Sequence, residues 1–165
     1  MTQLVYRAIQ TPITFKDSGG DAVITLQNLG FGAGRISAQY DRGAGSKPMR
    51  YKWKAVMQFE TAPVVGEVVE LYIAESDGTY VDGTVGVANA VLASNARKNL
   101  TLIGLVVVDT VSTATDIIGS GTCLIWERYF SAGVWNASVA DNLKNTANAC
   151  IVIFTPMPDE IQADV

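Results

Sequence analysis

Asp17-Ser18-Gly19-Gly20 sets a serine in a glycine turn, where a nucleophile would sit exposed. A serine attacks only if a base takes its proton, and the chain contains no histidine. The same lack removes Ser-His-Asp and Cys-His sites, histidine acid–base work, and most zinc and copper sites. Gly43-Ala44-Gly45-Ser46-Lys47 has the composition of a phosphate loop, but the G-x4-GK[ST] spacing fails. Pro48 also blocks the helix that should follow. Gly30-Phe31-Gly32-Ala33-Gly34 likewise lacks the helix of a dinucleotide site.

Glu75, Asp77 and Asp82 are oxygen donors of the kind calcium takes, but without EF-hand spacing they read as solvated turn carboxylates. Glu127 beside Arg128 interrupts an otherwise apolar run. An ion pair is its plainer role, and a carboxylate pair for glycoside hydrolysis stays open. Trp53, Trp126 and Trp135, with Tyr51 and Tyr80, could form a stacking platform for sugars. Trp53 falls on an apolar strand face and reads as core, and Trp126 is ambiguous. Trp135 and Tyr80 lie near turns and are the candidates for exposed, ligand-stacking rings. No pattern calls for a cofactor or a metal, and the chain reads as a non-enzyme.

Charged residues are 17% of the chain against 48% hydrophobic, so the surface is short of charge, as in a protein partly covered by partners. A net charge of −4 argues against nucleic acid or an acidic membrane as partner. The longest apolar run, Leu102 to Val108, is far short of the roughly 20 residues that span a bilayer. The beginning of the sequence has no basic leader ahead of an apolar stretch, so synthesis and folding in the cytoplasm are expected. Cys123 and Cys150 sit in apolar runs and read as buried thiols. A disulfide between them is open if their strands are neighbours.

Strand periodicity must position all of these residues. From Tyr51 to Glu60, Tyr51, Trp53, Ala55, Met57 and Phe59 line one face, and Lys52, Lys54, Val56, Gln58 and Glu60 the other. Over Glu67–Ala74, Val69, Leu71 and Ile73 oppose Val68, Glu70 and Tyr72. Further strands are expected at Ile13–Lys16, Ala22–Asn28, Arg35–Asp41, Thr101–Asp109, Thr122–Phe130, Ala132–Ala137 and Ala149–Thr155, with one helix near Val87–Lys98. Glycine-, asparagine- and aspartate-rich turns separate them.

The reading is an all-β protein: a two-sheet antiparallel sandwich of about eight strands with at most one short helix, residues 1–165 forming one domain. About eight strands make a jelly roll its natural form. Pro156–Val165, with two prolines and three acids, is expected to leave the sheet as an extended C-terminal arm. Leu102–Val108 and Cys150–Phe154 are apolar on both faces and need cover from their own chain or from a neighbouring subunit.

Charge is segregated. Arg42, Lys47, Arg50, Lys52 and Lys54 form a basic block without an acid, and Glu60, Glu67, Glu70, Glu75, Asp77 and Asp82 an acidic block without a base. Pairing across a hairpin would explain this within one chain. A head-to-tail interface would use Arg42, Lys47, Arg50, Lys52 and Lys54 of one subunit against Glu67, Glu70 and Glu75 of the next.

Pro63–Gly78 (PVVGEVVELYIAESDG), Asn99–Gly104 (NLTLIG) and Thr155–Gln162 (TPMPDEIQ) resemble a family of tailed-bacteriophage virion proteins, the β-sandwich or jelly-roll proteins that decorate and stabilise capsids. The likeness spans roughly residues 50–162 and rests on structural rather than catalytic motifs. It implies a location on the capsid surface of the virion and assembly as a homo-oligomer, often a trimer. It also implies clamping of the major capsid protein, and no catalytic residue to carry over. A carbohydrate-binding or adhesion module on the virion or its tail is the alternative.

Overall fold

The computed structural model describes residues 11–45 and 47–157. Eleven strands form two sheets and pair antiparallel except at one short parallel contact, so the chain is an all-β sandwich. The strands are β1 (Ile13–Lys16), β2 (Ala22–Val23), β3 (Ala33–Ile36), β4 (Tyr40–Asp41), β5 (Arg50–Met57), β6 (Val68–Ser76), β7 (Ala90–Val91), β8 (Thr101–Val107), β9 (Ile117–Leu124), β10 (Tyr129–Asn136) and β11 (Ile151–Met157). Sheet A runs β2-β1-β11-β5-β9 and sheet B runs β7-β3-β10-β6-β8, with β4 also pairing to β10. β1 and β2 make the parallel contact.

Alternation decides which side chains fill the space between the sheets. Tyr51, Trp53, Ala55 and Met57 of β5 face Leu71, Ile73, Phe130, Ala132 and Val134 of sheet B. Phe15, Phe130 and Phe154 meet edge-on or tilted at ring centroids 5.2–5.6 Å apart, a geometry that aligns positive ring edges with negative faces. Trp53 fixes the side where the edge strands β8 and β9 approach each other. A side chain at Gly104 would come within 2.2 Å of its ring, and one at Gly121 within 2.7 Å.

Six expectations need correction. Ala22–Asn28 is strand only over Ala22–Val23, and Arg35–Asp41 divides into the end of β3 and the short β4. Val87–Lys98 is no α-helix. It holds the two-residue β7 and the start of a 3-10 turn, Ala96–Asn99. Tertiary contacts override its alanines: Leu92 is buried, Asn89 bonds Thr25 and Arg35, and Asn95 caps Ala96. Thr122–Phe130 is not one strand but the end of β9, a turn, and the start of β10. Hairpin pairing of the charge blocks fails because β5 and β6 lie in different sheets. The sheet does continue through Pro156, whose strand pairs up to Met157↔Arg50. β1 pairs only with Val152–Phe154, so Pro156 has a single neighbouring strand and its missing N–H costs no central ladder bond. The rest of the expected arm, 158–165, lies outside the described residues.

Candidate docking surface

The outer faces of the two sheets are furnished differently. On sheet B, Ile36, Tyr72, Ala74 and Trp135 point away from the main core, and Leu92 and Leu100 of segment 77–100 cover them as a second small core. Trp135 is therefore only 8% exposed, which corrects its place as a stacking candidate. Arg97 of the covering segment lies 4.0 Å above its ring. The same guanidinium pairs with Glu70, which also accepts a 2.7 Å hydrogen bond from the Tyr72 hydroxyl. Burial first, and the Glu70 carboxylate second, push the Tyr72 phenol up to about 12. Glu70 thus holds a lid on its own chain.

Among the described residues, sheet A has no such lid over its central rows. Arg50, Lys52 and Lys54 project outward from β5, alternating with buried Tyr51, Trp53 and Ala55. Successive members stand about 6–7 Å apart, two residues along a strand. Arg50 lies between Met157 and Leu124, Lys52 between Thr155 and Thr122, and Lys54 between Ile153 and Ser120. Val56, between Ile151 and Ile118, extends the ladder with an apolar row. These rows contain no carboxylate, and none of the three cations joins an ion pair among the described residues. The sandwich edge beside them is apolar too: Leu102, Leu105 and Val107 of β8 and Ile118 and Leu124 of β9 are each about half exposed. β8 and β9 are the edge strands there, so the expected cover over Leu102–Val108 does not come from the described residues of this chain.

The acidic block is dispersed over β6 and the loops around it, and every carboxylate in it except that of Glu70 organises backbone. Glu60 accepts from Asn145 N–H, and Glu67 from Val64 and Val139. Asp77 accepts from Thr79 and Tyr80, and these two N–H groups lower its pKa. Asp82 accepts from Glu75 N–H. Glu75 accepts from the N–H groups of Trp126 (2.5 Å) and Glu127 (2.8 Å), although burial outweighs them and raises its pKa. These six acids present no single face to a row such as Arg50-Lys52-Lys54.

Arg42 is not on that face either. It is 8% exposed and threads inward, donating to the Tyr51 hydroxyl and to the carbonyls of Ile125, Glu127 and Pro48. Those bonds hold the β9–β10 turn that periodicity had merged into a strand. Glu127, in that turn, is exposed and in no ion pair among the described residues. Its neighbour Arg128 instead makes a two-point pair with Asp41, holding the Asp41 carboxyl down at about 2.

Trp126, 62% exposed, does reach solvent, as do Tyr80 at 79% and Phe31 at 56%. The polar Glu-Arg dipeptide after Trp126 was the sequence signal for its turn. Lys47 is exposed at the mouth of a groove beside Trp126. Cys123 and Cys150 are free, on opposite sides of β5, and burial raises their thiols to about 12 and about 11. No three His, Cys, Asp or Glu side chains converge as metal ligands among the described residues. Neither a scan against models of known protein families nor a search of curated proteins finds a match to this chain.

Proposed function

We propose that the chain is a structural virion protein. It binds the outside of a phage capsid through the outer face of sheet A and stabilises the shell as a homotrimer. The observation that carries this reading is the unlidded ladder of Arg50, Lys52 and Lys54 set among apolar and threonine rows. Such a face buries apolar area while its cations select an acidic counter-surface.

The strand order supports the jelly-roll form. Leaving aside the two-residue strands, β1, β11, β5 and β9 form one sheet and β3, β10, β6 and β8 the other, as in two interlocked Greek keys. That architecture serves viral shells and lectins alike, so the docking face, rather than the fold, carries the function.

Replacing Arg50, Lys52 and Lys54 together with glutamate should release the protein from heads while leaving it folded, and added salt should loosen the parent in the same direction. A parent chain that is monomeric at micromolar concentration by native mass measurement, and absent from purified virions, overturns the proposal.

A further inference from the structure

We infer that the groove between the Gly43–Gly45 turn and Trp126 is a binding site for an acidic saccharide, a sugar carrying a carboxylate. This does not depend on the capsid reading. The groove encloses about 330 Å³, room for a sugar ring. Trp126, Arg128, Lys47 and Arg42 all line it.

The decisive feature is the charge of Arg42. A guanidinium nine-tenths buried ordinarily faces a carboxylate, because an unpaired charge out of water is costly. Here its partners are one hydroxyl and three carbonyls, all neutral. These bonds use four of its five N–H groups. Arg128 is neutralised by Asp41, and Lys47 has no ion-pair partner among the described residues. The lining thus has three cations and no carboxylate among the described residues, and Asp41 is the one acid bonded to it. An anion there supplies the missing counter-charge.

Gly43 and Gly45 turn the backbone with φ of 82° and 87°, and no side chain at either position narrows the groove. Trp126 is held ready, because the Glu75 carboxylate anchors its N–H and that of Glu127. A rigid exposed indole beside a cationic recess suits the apolar face of a sugar ring together with its carboxylate. A nucleic-acid strand would need further stacking rings along its path. The rows beside Arg50, Lys52 and Lys54 carry threonine, serine, methionine, leucine and isoleucine instead.

Titration calorimetry on the full chain tests this with tetragalacturonate and 3′-sialyllactose, against methyl-esterified tetragalacturonate and lactose as neutral counterparts and an oligothymidylate as a nucleic acid. At least one acidic sugar should bind about tenfold more tightly than its neutral counterpart, a difference of about 1.4 kcal/mol. Trp126→Ala and Lys47→Ala should each remove about that factor. Both side chains are solvent-exposed, so the variants should fold as the parent does, and Lys98→Glu, at an exposed position away from the groove, should bind like the parent. No binding of either acidic sugar at millimolar concentration overturns the inference. So does equal binding of acidic and neutral sugars, insensitivity to Trp126→Ala, or tighter binding of the oligothymidylate.

Discussion

Sheets A and B bury comparable inner faces by the same alternation, yet their outer faces have opposite fates. Sheet B presents aromatic and aliphatic residues outward and is roofed by segment 77–100, with Arg97 clasping Trp135 and Glu70. Sheet A presents a cationic ladder flanked by short apolar rows, and its central strands carry no roof from the described residues. One face is covered by the chain's own residues, and the other is left open by the described residues. An outward-facing side chain on sheet B therefore reports on folding, whereas under the proposed function one on sheet A reports on association.

Substitutions can break that division. Trp135→Ala should cost about 3–5 kcal/mol of stability, the scale for emptying a buried aromatic site, and chemical denaturation measures it. A loss below about 1 kcal/mol would show the roof to be an ornament on sheet B. Arg97→Ala should cost about 1–2 kcal/mol by removing the cation over the ring and the partner of Glu70. Arg50→Ser, Lys52→Ser and Lys54→Ser combined should shift stability by no more than about 0.5 kcal/mol while weakening attachment to heads. Large destabilisation by that triple variant would place the ladder on the folding side of the comparison.

The smallest effect concerns pH. Asp41 has its folded pKa lowered to about 2 from 3.8, so its support for the β4–β10 pair is complete above pH 3.8 and fades as pH falls towards 2. Carboxyl NMR should find its midpoint near 2 and see it return towards 3.8 in Arg128→Ala.

Sequence periodicity located the ladder because strand alternation is local. Lys52 and Lys54 separate from Trp53 and Ala55 by parity alone. It also found Ile13–Lys16, the cores of β5, β6 and β8, and the burial of Trp53. The roles of the tryptophans beyond that were not local facts. Trp135 looked turn-adjacent and free because nothing at positions 129–136 reveals that residues 77–100 return to cover it. Trp126 looked strand-like because the apolar run around it spans a turn that distant residues pin, Arg42 through the carbonyls of Ile125 and Glu127 and Glu75 through the N–H groups of Trp126 and Glu127. The acidic block was legible as charge but not as function, since its carboxylates are committed inside the fold, to local turns, to Arg97 and Tyr72, and to backbone N–H groups as distant as those of Trp126, Val139 and Asn145.

The place of β11 sets a schedule for folding. It lies between β1 and β5, joining one of the two longest strands of sheet A to a strand more than a hundred residues before β11 in the chain. On the ribosome, β5 and β9 can pair early, but β1 has no bridge to them until residues 151–157 emerge. Sheet A is therefore finished last, by a pairing of high sequence separation, and folding is slow in proportion. Until that insertion the cationic ladder lacks one flank. Under the proposed function, a docking surface that needs β11 is offered to a partner only once that strand is in place, which keeps half-folded chains from attaching.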